Sequence, residues 1–248
     1  MTLEQALLGL AIGAGLGLVF GALGAGGGVL GVPVLLYVFH LPLAKATGTS
    51  LAIVFGTALI SALAHARKGN LDARIAAAFG LAAVLTAPLG ALVHRLLPEK
   101  VTLGLFCLAL AVAAVRMWFS KSEGEGQGTF RLVLTLALGA FVGFCTGLLG
   151  VGGGFLVVPA LSMFLGVPVR RAIGTSTAIV CASSLTGAIG YAVQGALEPG
   201  LLLTIGGGSL AGALIGVPLA QKLPEARLRK GFAIVALAVC ARMLFSLA

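Results

Sequence analysis

Two stretches of the chain are nearly the same and decide its architecture. Residues 21–33 read GALGAGGGVLGVP and residues 147–159 read GLLGVGGGFLVVP, at an offset of 126 positions. The same offset aligns GTS at 48–50 with GTS at 174–176, and 15 of the 30 positions in 21–50 are identical to their counterparts. Such identity over an ungapped window indicates an internal duplication.

The duplication divides the chain into a first repeat, a linker and a second repeat. These units span residues 1–120, 121–130 and 131–248, and the linker contains the polar, Gly-rich stretch KSEGEGQGT. Each repeat contains five apolar segments. In the first repeat these segments are roughly 4–23, 29–43, 48–65, 73–94 and 101–119.

The composition places these segments in a lipid bilayer. Hydrophobic residues make up 59% of the 248 residues and charged residues 9%, with a mean hydropathy of +1.14, whereas a soluble domain carries about 25% charged residues. Only 6% of residues are aromatic, and no alternating strand pattern is visible, which disfavours a membrane barrel. The sequence therefore predicts an all-α, polytopic transmembrane helical bundle.

The distribution of positive charge predicts how the repeats are oriented. The net charge is +9, but the basic residues cluster at segment ends, which is typical of membrane topology and gives no reason to expect nucleic-acid binding. If all five segments cross, so that the second repeat is inverted, Lys and Arg divide 12 against 4 between the two sides. If the short second segment re-enters instead, they divide 9 against 7. The positive-inside rule favours inverted repeats with both termini outside the cytoplasm, although re-entry of the short segment stays open.

Inverted repeats are typical of secondary transporters, because two similar halves of opposite orientation can exchange conformations. We therefore expect transport by alternating access. The alternative is a nontransporting membrane scaffold or assembly factor.

Three adjacent glycines in each repeat predict a helix break within the membrane. Each glycine lowers helix stability by about 1 kcal/mol relative to alanine, and a break exposes a helix N-terminus that can bind an anion. Close helix packing is the alternative, and it suits the four-residue stripe Gly9, Gly13, Gly17 and Gly21 better. The candidate binding glycines are Gly26, Gly27, Gly28, Gly152, Gly153 and Gly154.

The GTS triplets open the third segment of each repeat and supply hydroxyl groups. Such hydroxyls can cap a helix or donate hydrogen bonds to a bound oxyanion. Basic residues that precede each triplet could draw anions toward the site, or serve only as loop charges. The candidate hydroxyl residues are Thr49, Ser50, Thr175 and Ser176, and the basic residues are Lys45 and Arg171.

The acidic residues all lie at segment ends or in the linker. Because cation transporters usually place a carboxylate within a membrane segment, an anionic substrate is favoured. The three histidines, His40, His65 and His94, lie near segment ends and are predicted at the membrane interface rather than in a proton relay. The sequence indicates no metal-ligand cluster, cofactor or catalytic constellation, so we do not expect an enzyme.

The duplicated pattern Gly-x-Gly-Gly-Gly-x-x-x-x-Pro, followed by Ala-x-Gly-Thr-Ser, resembles the sulfite exporter TauE/SafE family, also called the toluene sulfonate uptake permease family. The resemblance covers essentially the whole chain. It implies a transporter of sulfite, sulfonates or related sulfur-containing organic anions in the bacterial inner membrane, with the duplicated glycines and hydroxyls as its site. The identity of the anion, the direction of transport, coupling to protons or sodium, and the oligomeric state are left open.

Overall fold

The fold is described from a computed structural model of the chain. The structure describes residues 3–23, 26–94, 131–149 and 154–245, together with seven positions between 104 and 118. Within these residues the chain forms helices joined by short loops, and no strand occurs. The prediction of an all-α fold is confirmed.

The helix order repeats once along the chain. The first repeat contains α1 (Leu3–Leu23), α2 (Gly26–Tyr37), α3 (Leu43–Arg67) and α4 (Ala73–His94), and the second contains α5 (Leu132–Leu149), α6 (Gly154–Phe164), α7 (Val169–Val193), α8 (Pro199–Lys222) and α9 (Glu225–Phe245). The seven described positions of the predicted fifth segment, 101–119, are helical. The predicted linker at 121–130 lies outside the described residues.

Four of the described helices are long and apolar enough to cross a membrane. They are Leu3–Leu23, Ala44–Arg67, Val169–Val193 and Pro199–Ala220. Shorter apolar stretches occupy Ala73–Ala87 and Leu132–Cys145. In contrast, α2 has 12 residues, or about 18 Å at 1.5 Å per residue, against a hydrocarbon core of about 30 Å. The chain is therefore a multi-pass membrane protein in which the second helix of each repeat is short.

The third helix of each repeat begins earlier than the sequence predicted. We expected α3 to start at residue 48, but it starts at Leu43, directly after Pro42, and α7 starts at Val169, directly after Pro168. Proline fixes its φ angle and ends the preceding extended stretch, so the helix can begin at the next residue. The GTS triplets therefore lie in the second turn, and the idea that their hydroxyls cap their own helix is wrong.

Contacts between helices reveal their directions. Helix α1 runs parallel to α8, since Gly9 lies against Thr204 and Gly21 against Ala213. Helix α3 also runs parallel to α8, because Thr49 contacts Glu198 near the start of both helices and Thr57 contacts Ser209 farther along. It follows that α1 and α3 point the same way. The short α2 and the loop after it must therefore carry the chain back across the bundle.

Contacts also give the relative directions of two further helix pairs, α3 with α7 and α4 with α5. Helices α3 and α7 pack antiparallel, with Gly48 of α3 against Tyr191 near the end of α7, and Gly174 of α7 against His65 near the end of α3. Helices α4 and α5 run parallel, as α1 and α8 do, since Gly139 lies against Phe79 and Gly143 against Ala83. The third helices of the two repeats, α3 and α7, therefore run in opposite directions.

Glycines allow these helices to approach closely. A Cβ atom added at Gly13 or Gly17 of α1 would overlap the backbone of Ile205 or Ser209 in α8, and one at Gly212 would overlap the backbone of Ala14. The prediction that the four-residue glycine stripe serves helix packing is confirmed. Backbone contact of this kind is the usual basis of close helix association in lipid.

Candidate functional site

The glycine of each GTS triplet lies where the two repeats cross. A Cβ atom at Gly48 would overlap the carbonyl oxygen of Ala196, and one at Gly174 would overlap that of Asn70. Both contacts are with the loop that precedes the fourth helix of the other repeat. The duplicated glycine therefore brings α3 and α7 together.

The threonine of each triplet binds that same loop. The Thr49 Oγ1 atom accepts a hydrogen bond of 3.0 Å from the backbone N–H of Glu198, which directly precedes α8. The Thr175 Oγ1 atom accepts one of 3.0 Å from the backbone N–H of Asp72, which directly precedes α4. Both threonine side chains are fully buried. Each repeat thus satisfies a free amide at a helix start of the other repeat, a position that a helix leaves without an internal partner.

The two triplet serines have different surroundings. Ser176 donates a hydrogen bond of 2.8 Å to the Ile173 carbonyl of its own helix. Ser50 is also buried, but it lines a pocket, where its hydroxyl faces Gly31 so closely that a Cβ atom at Gly31 would overlap it. The first triplet, but not the second, therefore contributes a residue to the lining of this pocket.

The pocket lies between α1, α2 and α3 of the first repeat and α8 of the second. Its polar side chains are those of Ser50, Thr57 and Ser209. Among the described residues that line it, none is charged. The remaining residues are apolar or glycine: Leu16, Gly17, Phe20, Gly31, Val34, Leu35, Ile53, Val54 and Ile205.

Two of the pocket hydroxyls form a pair that joins the repeats. The Thr57 Oγ1 and Ser209 Oγ atoms lie 3.1 Å apart. Each also lies within hydrogen-bond distance of a carbonyl of its own helix, 2.7 Å from Ile53 for Thr57 and 2.9 Å from Gly206 for Ser209. Each hydroxyl has one proton, so the two hydroxyls can donate only two of these three hydrogen bonds at any one time. Either proton can therefore turn toward a ligand while the pair stays connected.

The corresponding positions of the second repeat are chemically different. At the offset of 126, Gly31 matches Val157, which is buried in the core, and Ser209 matches Ala83. A valine side chain occupies space where the first repeat has none, and an alanine has no hydroxyl. The repeats have therefore diverged at the pocket itself.

The predicted binding glycines begin the short helices. Gly26, Gly27 and Gly28 form the first turn of α2, and Gly154 is the first residue of α6. Gly152 and Gly153 lie outside the described residues. The pocket residue Gly31 follows Gly28 by about one helical turn.

Lys45 and Arg171, the two basic candidates, each lie in the first turn of their helix. Because α3 and α7 are antiparallel, the two residues lie at opposite ends of this helix pair. The Lys45 Nζ atom lies 3.1 Å from Glu198 Oε2, and the side chains are 45% and 36% exposed. Arg171 is exposed. The first charge is therefore partnered by a carboxylate of the other repeat.

Several polar residues in the site escaped the sequence analysis. Thr57, Ser61 and His65 follow one another at four-residue spacing on α3, and all three are buried. His65 lies in the last turn of α3 and is enclosed by protein. The signal that could have found these residues is this spacing within an otherwise apolar helix, because polar groups inside a membrane usually face protein or a cavity.

The family described as "Sulfite exporter TauE/SafE" matches residues 9–243. No solved structure matches the chain significantly.

Curated relatives cover nearly the whole chain. The "Probable membrane transporter protein" of Xylella fastidiosa is 30% identical over 247 residues, 96% of this chain and 95% of its own. The "Probable membrane transporter protein YdhB" of Bacillus subtilis is 28% identical, covering 86% and 90% of the two chains. "Probable membrane transporter protein MJ0441" of Methanocaldococcus jannaschii is 30% identical, covering 83% of each. The chain thus belongs to the sulfite exporter TauE/SafE family of membrane transporters.

Proposed function

We propose that this chain is a secondary transporter of small anions in the bacterial inner membrane, with sulfite, sulfonates or related sulfur-containing organic anions as substrates. The observation that carries the proposal is the pocket between the repeats, whose lining includes the hydroxyl-bearing residues Ser50, Thr57 and Ser209. Hydroxyls donate hydrogen bonds to oxyanions. A lining without carboxylates does not repel them.

The glycine-rich start of each short helix would supply further donors. Backbone N–H groups of a helix N-terminus favour negative charge, and we assign this role to Gly26, Gly27 and Gly28 in the first repeat. Gly152, Gly153 and Gly154 are proposed to act alike in the second, together with Thr175 and Ser176. In this proposal Lys45 and Arg171 attract anions toward the two ends of the bundle.

We infer that the two repeats are inverted relative to one another and move by alternating access. The opposite directions of the matched helices α3 and α7 support this arrangement, as does a duplicated contact at each end of the α3–α7 pair. Opening one end would release the hydrogen bond between Thr49 and Glu198, and opening the other would release that between Thr175 and Asp72. Alternation requires that one contact holds while the other opens.

Transport in proteoliposomes tests the proposal. We expect saturable uptake of sulfite by the wild type, and a rate lower by about 10-fold or more in Ser50→Ala and in Ser209→Ala, because each removes a donor to a charged ligand. Thr186→Ala removes an exposed hydroxyl from α7 and serves as the control. Ser176→Ala measures the contribution of the second repeat.

Two results would contradict the proposal in different ways. Saturable uptake that is unaffected by both pocket variants would leave the transporter but reject the pocket as its site. If sulfite, taurine and sulfoacetate all fail to move under imposed proton or sodium gradients, the nontransporting scaffold becomes the better explanation.

A further inference from the structure

Apart from Thr135 on α5, three side chains in the described part of the chain have enclosed polar atoms without a hydrogen-bond partner. They are Ser61, through Oγ, His65, through both ring nitrogens, and Arg170, through Nε. The side chains of Ser61 and His65 are fully buried. A buried polar group without a partner costs about 1 to 3 kcal/mol, and more when it is charged. Three in one region indicate that a ligand satisfies them.

His65 and Arg170 lie where the end of α3 crosses the start of α7, and Ser61 lies one turn before His65 on α3. Ser61 and His65 are one turn apart on the same face of α3. A Cβ atom at Gly174 of α7 would lie 3.0 Å from the His65 Cβ. Arg170 precedes Gly174 by four residues and so lies on the same face of α7, one turn toward its start. The imidazole and the guanidinium therefore share one side of the crossing.

The guanidinium is held in place but keeps one donor free. Its Nη2 atom donates a hydrogen bond of 2.9 Å to the Leu223 carbonyl, which fixes the group against the end of α8. In the described part of the chain no carboxylate lies within ion-pair distance of Arg170. The nearby Asp72 carboxylate accepts hydrogen bonds from the backbone N–H groups of Arg74 and Ile75, at the start of its own helix.

The charge at this end of the bundle favours an anion. Arg67, Lys68, Arg74 and Arg171 are all exposed around the crossing. The counterparts of His65 and Arg170 at the other end are Tyr191 and Ala44, and there Lys45 is paired with Glu198. The unpartnered donors and a half-buried cation without an ion pair therefore occur together at the basic end.

We propose that Ser61, His65 and Arg170 form a second anion site, which binds a small oxyanion through the Arg170 Nε–H, one imidazole N–H and the Ser61 hydroxyl. This inference rests on the proposed function, because the ligand is taken to be the transported anion. Thr57 of the pocket precedes His65 by eight residues, about 12 Å along α3. An anion moving between the pocket and the basic end passes Ser61 and then His65 and Arg170.

Equilibrium dialysis with ³⁵S-labelled sulfite, at constant ionic strength on the purified full chain, tests the site. We expect two anions bound per wild-type chain, and affinity at one site weakened by about 10- to 100-fold in Arg170→Gln, because a hydrogen bond from a charged donor is lost. His65→Phe should have the same effect without harming the fold, since it removes unpartnered nitrogens from an apolar setting. Arg171→Gln removes an exposed charge next in sequence and should keep two anions.

The outcomes separate this site from the proposed function. The second site would be overturned if Arg170→Gln and His65→Phe both bound two anions with unchanged affinity. It would also be overturned if the wild type transported sulfite but bound a single anion, and only Ser50→Ala lost that anion. A wild type that binds an anion lost in His65→Phe but moves no sulfite in proteoliposomes would reject transport and keep the site. Equal loss of binding in Arg171→Gln and Arg170→Gln would attribute the effect to net charge and overturn the specific site.

Discussion

At the scale of single residues, the two short helices end in the same way with different residues. The backbone N–H of Leu41 donates to the Leu35 carbonyl at 3.0 Å, and that of Val167 donates to the Leu161 carbonyl at 3.1 Å. Each bond joins residues six positions apart, and in each case the residue directly before the donor has a left-handed backbone. That residue is His40, with φ of 51°, in the first repeat and Gly166, with φ of 64°, in the second.

We expect His40→Gly to stabilise the protein. A non-glycine residue in the left-handed region costs about 1 to 2 kcal/mol, partly offset by the greater freedom of glycine in the unfolded chain. The His40 side chain is exposed, so little packing is lost. The measurement is the fraction of detergent-solubilised protein that stays monodisperse after heating. Gly166→Ala should change this fraction in the opposite direction, and a stabilising Gly166→Ala would contradict the explanation.

Gly17→Ala should destabilise the bundle, by about 1 to 3 kcal/mol, because its methyl group overlaps the backbone of Ser209 and forces α1 and α8 apart. Gly15→Ala on the same helix is the matched control, since a Cβ atom there meets nothing within 4 Å. Survival after heating, measured by size-exclusion chromatography, should fall only in Gly17→Ala. Equal survival of the two variants would mean that the close helix approach is unimportant for stability.

At the scale of helices, the most informative contact is the pair of threonine hydrogen bonds between the repeats. Each threonine lies in the second turn of a third helix and accepts a bond from the residue before a fourth helix. A threonine hydroxyl from the other repeat thus accepts a hydrogen bond from a backbone N–H at the helix start, as a local capping side chain usually does. The contact also fixes where α3 and α7 cross.

Thr49→Val and Thr175→Val should each lower stability by about 1 to 3 kcal/mol, because a buried backbone N–H loses its acceptor. Thr→Ser at either position keeps the hydroxyl and should retain most of the stability. Heat survival of the six proteins, including the wild type and the double valine variant, provides the measurement. If heat survival fell as much in the Thr→Ser variants as in the Thr→Val variants, the stability would be due to the threonine methyl group and not to the hydrogen bond.

Part of this arrangement could be predicted from the sequence. The apolar pattern predicted a segment at 73–94, the bounds observed for α4, because the loop residues before it are polar. The same pattern placed the start of α3 at residue 48 instead of Leu43. A search for apolar segments excludes the charged Lys45, although lysine is a good helix former. The pocket was predicted only through Ser50. Thr57 and Ser209 belong to no repeated motif. They are paired because α3 packs against α8, and the spacing of residues along the sequence does not predict which helices pack together.

At the scale of the whole molecule, the proposed inversion makes a direct topological prediction. Arg67 and Gln194 lie at the ends of α3 and α7, and both are exposed. Because these helices run antiparallel, we expect the two positions on opposite sides of the membrane, with the basic Arg67 end in the cytoplasm.

Labelling of single cysteines measures this. In a background without the four native cysteines, Gln194→Cys should react with a membrane-impermeant maleimide in intact spheroplasts, whereas Arg67→Cys should react only after permeabilisation. Uptake of sulfite by each variant provides the control for correct folding. Labelling of both positions from the same side would reject inverted repeats.

The reciprocal threonine bonds have a consequence for how the protein is made. When α4 leaves the ribosome, the residue that satisfies the Asp72 amide, Thr175, has not been synthesised, and the partner of α1, α8, begins only at Pro199. The first half must therefore stay in the translocon or in lipid while the packing glycines of α1 have no partner helix and the Asp72 amide has no acceptor from the second repeat. Assembly into the mature bundle can be completed only after most of the second half has been inserted.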